Sequence, residues 1–264
     1  YRYGGAARPP RGELEATALD IEPLVALADR LPFEPALRKE LEIYAPHGSF
    51  YDVALKWSGQ WPQPQQYSVK GRFVNLGLNP VGRLPGFHGV SGSLDGNERG
   101  GTVSLSTQNV AVEMPRVFRD KLVFETFAAQ VGWQRNGEKY EIRFNDISFS
   151  SRDLAGSVTG VYQTVPDSHG LIDLTAVATR ADARGLTRYV PLQVGERVRT
   201  WLETAFPGGT TNDIKVRLKG NLNDFPFPEG KGGLLQVTAR VTNGVLEYAN
   251  GWPRVENMEG EVTF

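Results

Sequence analysis

Apolar and polar residues alternate along much of this chain. Val53, Leu55 and Trp57 interleave with Ala54 and Lys56, Val103 and Leu105 with Ser104 and Ser106, and Tyr140, Ile142 and Phe144 with Glu141, Arg143 and Asn145. Ile172, Leu174, Ala176 and Ala178 form a further set, and Ile214, Val216 and Leu218 interleave with Lys215, Arg217 and Lys219. A period of two sends successive side chains to opposite faces of a strand. The pattern therefore predicts sheet with one greasy and one wet face, as antiparallel sheets commonly have. Asn136-Gly137 predicts a tight hairpin between the run through Trp133 and the Tyr140 strand, because such a turn requires positive φ.

Two helical stripes interrupt the strands. Leu37, Leu41, Tyr44 and Ala45 predict a helix over about 36–45, preceded by Pro32 and Pro35 and stopped by Pro46-His47-Gly48. Val194, Val198, Trp201, Leu202 and Ala205 predict another over about 192–206, entered at Pro191 and stopped by Pro207-Gly208-Gly209. Proline at the entry and proline or glycine past the end is the expected asymmetry. Apolar stretches near Leu24 and Leu27 add a further turn or two.

The same logic follows both helices. Pro46-x-Gly48-x-x-x-Asp52-Val53 matches Pro207-x-Gly209-x-x-x-Asp213-Ile214, an offset of 207 − 46 = 161. Farther on the offset becomes 168: Val69 answers Val237, Asn75 answers Asn243, Leu78 answers Leu246, Pro85 answers Pro253 and Gly92 answers Gly260. A collinear series through two segments predicts a repeat, with units that stack along an axis and bury their edges on one another. The expected division is 1–23 as the end of a preceding unit, 24–190 as one unit, and 191–264 as the opening of the next. On this view Tyr1 and Phe264 mark cuts inside a longer polypeptide.

Composition narrows the chemistry. Lys plus Arg is 29 against 30 Asp plus Glu, a net charge of −1, without the basic surface that a nucleic-acid partner requires. There is no cysteine, hence no thiolate nucleophile and no disulfide framework. No apolar run reaches the roughly 20 residues that span a bilayer. His47, His88 and His169 are each followed by glycine and lack the spacing of a metal site, so they are expected in exposed turns. Phe87-His88-Gly89-Val90-Ser91-Gly92 lacks the G-x-S-x-G spacing of a nucleophile elbow. Gly230-Lys231-Gly232-Gly233 lacks the P-loop ending. Asp52 and Asp213 occupy equivalent repeat positions, which suits a turn better than an acid–base dyad. Trp57, Trp61, Trp133, Trp201 and Trp252 fit core packing better than a sugar platform. The expectation is a non-catalytic chain with no cofactor and no metal.

Several stretches carry a resemblance. Tyr189-Val190-Pro191-Leu192, Arg199-Thr200-Trp201-Leu202-Glu203-Thr204-Ala205-Phe206-Pro207-Gly208-Gly209, Leu222-Asn223-Asp224-Phe225-Pro226-Phe227 and Tyr248-Ala249-Asn250-Gly251-Trp252-Pro253-Arg254 resemble the AsmA-like proteins of the YhdP type. Leu27-Ala28-Asp29-Arg30-Leu31-Pro32 and Tyr44-Ala45-Pro46-His47-Gly48 are similar to the preceding unit of that family, with His47 standing where a basic residue, Arg, is expected. The resemblance runs from about Leu24 onward. It implies a bridge-type lipid transport protein of a Gram-negative envelope, anchored in the inner membrane by a part outside this segment. It further implies a periplasmic groove reaching toward unidentified proteins at the outer membrane, with phospholipid acyl chains as cargo.

The expected fold is mainly β, an elongated, repetitive antiparallel groove or half-pipe with a few short amphipathic helices packed on it or capping it. Its lining would comprise Val53, Leu55, Phe73, Val103, Leu105, Tyr140, Ile142, Phe144, Ile172, Leu174, Ile214, Val216, Leu218 and Val237. Moving a methylene out of water is worth about 0.8 kcal/mol, so sheltering a long acyl chain is worth roughly ten kcal/mol or more. The alternative is a structural or adhesive β-sandwich, in which the same face packs on a second sheet. Alternation alone fits both.

Overall fold

A computed structural model describes residues 9–28, 30, 35–60, 63–82 and 84–263. Twelve antiparallel strands form one sheet in which sequence order and spatial order coincide, from β1 (Arg11–Asp20) to β12 (Val255–Thr263). Between them lie β2 (His47–Ser58), β3 (Gln66–Leu78), β4 (Gly86–Asn97), β5 (Gly100–Glu113), β6 (Leu122–Asn136) and β7 (Lys139–Ser150). β8 (Leu154–Gln163), β9 (Leu171–Asp182), β10 (Gly208–Asn221) and β11 (Gly233–Leu246) complete the meander. The sheet does not close, because β1 pairs with β2 and β12 with β11 but not with each other.

Helices enter at one end of the strands. α1 (Ile21–Ala26) and α2 (Pro35–Tyr44) link β1 to β2, and α3 (Glu196–Ala205) precedes β10. The second helix expected from the sequence is thus shorter than 192–206. Pro191 opens a separate turn, closed by the Val194 N–H on the Pro191 carbonyl at 3.0 Å, and the helix begins only after Gly195, whose backbone is extended. The hairpin at Asn136-Gly137 is present, but Asn136 pairs with Lys139, so its central residues are Gly137 and Glu138. Only Gly137, at φ 66°, takes the positive angle. Pro32, Trp61 and Phe264 lie outside the described residues.

The accessible surface is 16980 Å². A compact protein of this 29.1 kDa mass exposes roughly 11,400 Å². The excess reflects how little is enclosed: Val110 is the largest side chain below 2 % exposure among the described residues. Two sheets interlocked face to face would bury many more. A single open layer accounts for both observations.

Two small clusters are buried, both toward the helix-bearing ends of the strands. Val110, Leu122 and Phe124 pack with Met114, Phe118, Phe127, Phe149 and Tyr189. Ala178, Ala181 and Ile214 pack with Leu154, Leu186, Val216, Val237 and Ala239. Tyr189 and Leu186 come from the 3-10 turn Ala183–Tyr189 between β9 and β10. That stretch leaves β9, reaches β5 and β6, and returns through α3. Its course is fixed by the Leu192 N–H on the Val117 carbonyl (2.8 Å), the Arg119–Glu203 ion pair (2.7 Å) and the Arg188–Asp153 ion pair (2.7 Å).

Candidate functional site

Residues directly opposite one another on antiparallel strands point to the same face, so register identifies each face across the whole sheet. One ladder runs Leu19, Phe50, Phe73, Gly92, Leu105, Ala129, Ile147, Val158, Ala176, Val216, Val237, from β1 to β11. Every rung is apolar or glycine. A second ladder toward the hairpin ends runs Leu14, Leu55, Val69, Gly96, Gly101, Trp133, Ile142, Tyr162, Ile172, Gly220, Gly233. Between them Leu94, Val103, Val131, Phe144, Gly160, Leu174, Leu218 and Leu235 form a third.

These ladders bring all the sequence-predicted lining residues onto one face. Val53 and Ile214 join by their spacing of two from Leu55 and Val216, and Tyr140 by its spacing of two from Ile142. The face is continuous yet open: in the first ladder Phe73 and Ala129 are buried, and the remaining rungs stay half-exposed. At a strand spacing of about 4.8 Å, eleven strands carry it for roughly 50 Å.

The other face is wet. Glu13 meets Lys56 at 2.7 Å, Lys70 meets Asp95 at 3.4 Å, and Arg72 meets Asp52 at 2.5 Å. Asp173 is flanked by Arg217 and Lys219, whose hydrogen bonds and charges, Arg217's hydrogen bond first, hold its carboxyl below the usual range. Such exposed pairs contribute little to stability. Their value is that they keep this side in water and so fix which side is left for apolar contact.

The histidines are placed differently from the sequence expectation. His169 does sit in the bend between β8 and β9, but His47 and His88 lie in strands β2 and β4. Their rings stack 5.2 Å apart, and His88 faces Glu113, which Lys121 holds at 2.7 Å. Burial first, then the charges of Lys121 and His47, push the His88 imidazole below its ordinary value. The strands, forty-one residues apart at these positions, are brought together only by the sheet. No metal-binding group of three His, Cys, Asp or Glu occurs among the described residues.

The tryptophans divide by position. Trp57 lies over Gly12, and Trp133 over Gly96 and Gly101, so closely that a Cβ on any of these glycines would fall within 2.6 Å of a ring atom. Trp201 packs on Phe206 and Tyr248 and donates its indole N–H to the Tyr248 carbonyl at 2.9 Å. Trp252 is 66 % exposed. The glycine platforms were not singled out in the sequence reading. The signal available was a glycine on the strand positions that pair with each tryptophan.

The profile of the family described as YhdP protein matches residues 2–264. The chain belongs to the YhdP family. It is 23% identical over 257 residues to the intermembrane phospholipid transporter YhdP of Escherichia coli (strain K12). That alignment takes in 95% of this chain and 19% of the relative, so the chain spans about a fifth of the YhdP relative's length. No solved structure matches it. No helix among the described residues is long and apolar enough to cross a membrane.

Proposed function

We propose that this chain is a stretch of a lipid-conducting groove that carries phospholipid acyl chains between membranes without covalent chemistry. The observation that carries the reading is the unbroken apolar ladder from Leu19 to Val237 on a face that no second sheet covers among the described residues. Hydrocarbon laid along it leaves water at about 0.8 kcal/mol per methylene. Because successive rungs are alike, a chain can slide with little change in energy, and no rung traps it. Kinship with a protein whose name is intermembrane phospholipid transporter supports the same cargo.

The wider setting belongs to the same proposal: a periplasmic location, an inner-membrane anchor carried by another part of the polypeptide, and protein partners at the outer membrane. So does the division into units. α2 and α3 are ten residues each and start 196 − 35 = 161 apart. The Tyr44 carbonyl accepts from the Asn79 N–H at 2.8 Å, as the Ala205 carbonyl accepts from the Glu247 N–H at 2.9 Å. These correspondences support one unit over 24–190 and the opening of another over 191–264, with 1–23 closing the one before. The single open layer of the described residues favours the groove over the sandwich alternative, which needs a filled interior.

The test is phospholipid recovery with the purified full-length protein, wild type and Val216→Asp. The wild type is expected to carry phospholipid. The variant, with a carboxylate in the middle of the ladder, is expected to lose most of the recovered phospholipid while keeping its β-sheet circular dichroism. Recovery of no phospholipid with the folded wild type would overturn the proposal.

A further inference from the structure

The two long rims of the apolar face differ. At the helix-bearing rim the face is roofed: Tyr189 packs onto Val110, Leu122 and Phe124, and its hydroxyl is hydrogen-bonded to Ser151 at 2.7 Å. Of the arginines there, Arg119 pairs with Glu203, Arg188 with Asp153 and Arg184 with Asp182, while the Arg180 guanidinium donates to the Ser151 and Arg152 carbonyls. An anion arriving there would meet the hydrophobic wall that Tyr189 forms over β5 and β6.

The hairpin rim is built otherwise. The apolar face carries aliphatic residues and phenylalanine along its middle rows, but Trp57, Tyr67, Trp133, Tyr140 and Tyr162 near the hairpins. Rings with an apolar body and a polar tip suit the boundary between hydrocarbon and water. At β10 and β11 the 4 % exposed Phe227 covers Gly220 and Gly233, whereas Trp57 and Trp133 lie on glycines, which keeps this rim low over β1 to β6. Beside them stand two cations. Arg135 lies opposite Tyr140 on the same face, with its guanidinium 5.8 Å from the ring centre and its Nε–H donated to the Gly137 carbonyl at 2.8 Å. Arg99, at the neighbouring hairpin, accepts the Arg135 N–H on its carbonyl at 2.7 Å and leaves its side chain 88 % exposed. Arg135 makes no ion pair among the described residues, and Arg99 has only Glu98 at 3.8 Å. A guanidinium matches a phosphodiester in geometry and charge.

We propose that bound phospholipid lies across the sheet with its phosphate at the hairpin rim, against Arg99 and Arg135, and its acyl chains directed toward the roofed rim. This rests on the lipid-groove reading and adds an orientation to it. The groove would then be a one-sided slot, with head groups of all lipids in file along one edge.

Photocrosslinking tests it in the full-length protein. Benzoylphenylalanine replaces Tyr140 or Tyr162 at the hairpin rim, Val131 in the middle row, or Val112 at the roofed rim, and the phospholipid is labelled with phosphorus-32. After irradiation, mild alkali cleaves the acyl esters. Adducts formed through the glycerol or head group keep the label; those formed through an acyl chain lose it. The expected result is retention at Tyr140 and Tyr162 and loss of most label at Val131 and Val112. In Arg99→Gln/Arg135→Gln, retention at Tyr140 should fall at least twofold. Retention at Val112 with loss at Tyr140, equal loss at all positions, or no response to the arginine change overturns the orientation. Absence of any labelled adduct before alkali overturns the lipid-groove reading itself, and the orientation with it.

Discussion

Asn75 and Asn243 adopt the same left-handed backbone, φ 51° in each, at matching places in β3 and β11. Each lies beside the glycine that follows a helix. A Cβ on Gly48 would come within 2.7 Å of the Asn75 carbonyl oxygen, and one on Gly209 within 3.1 Å of Gly244. Both pairs of strands shift register here, which bends the sheet where the helices enter.

Asparagine tolerates this conformation, whereas a β-branched residue does not. Asn75→Val is therefore expected to cost about 1–2 kcal/mol, and Asn75→Gly to stay within a few tenths, since glycine occupies this region freely. Urea unfolding followed by circular dichroism measures both. Equal losses for the two would show that the side chain, not the backbone angle, matters.

Gly101→Val tests the tryptophan platform. A Cβ there would sit 2.4 Å from the Trp133 ring, so the indole must lift off the strand. The expected cost is about 1–3 kcal/mol, with a red shift of Trp133 emission as the ring enters water. An unchanged spectrum would mean that the ring has another resting place.

Tyr189→Phe removes the hydroxyl bonded to Ser151, a residue 2 % exposed. Loss of about 1 kcal/mol is expected. Amide exchange should rise over Ala183–Tyr189 first, since this bond ties that turn to the β7–β8 connection.

Acidification should loosen the β2–β4–β5 region. His88 is held below its ordinary 6.5 by burial, then by Lys121 and His47, with Glu113 pulling the other way. The unfolded chain takes up this proton first, so stability present above pH 6.5 falls as pH drops from 6.5 toward the folded value. Glu113, lowered chiefly by its hydrogen bond from Lys121, adds a separate loss below pH 4.5. His88→Gln should flatten the thermal midpoint between pH 7.5 and 5. A slope unchanged by that substitution would assign the effect elsewhere.

Ile142→Asp on the apolar face and Ser104→Asp on the wet face make a matched pair. Ile142 stands between Trp133 and Tyr162, where an ionised carboxylate places charge and its bound water on the path of the hydrocarbon. Lipid recovery should fall several-fold for Ile142→Asp and remain at wild-type level for Ser104→Asp. Equal effects would divorce lipid from this face.

Period-two alternation determined from sequence alone that strands such as Lys139–Ser150 and Gly208–Asn221 have one apolar side, and glycine and proline determined where helices stop. These are local properties, set by side-chain geometry along a few residues. Which apolar sides join across the sheet was decided only in three dimensions. Phe50 and Leu55 are an odd number of residues apart, as are Phe144 and Ile147, yet each pair shares a face because a bulge intervenes. Alternation read across a bulge assigns the wrong side, and only pairing with a neighbouring strand restores it. The roof of Tyr189 over Val110 and Phe124 was equally hidden, since packing between distant segments leaves no period in the chain. Period fixes a face for each strand; hydrogen-bonded register makes those faces one surface.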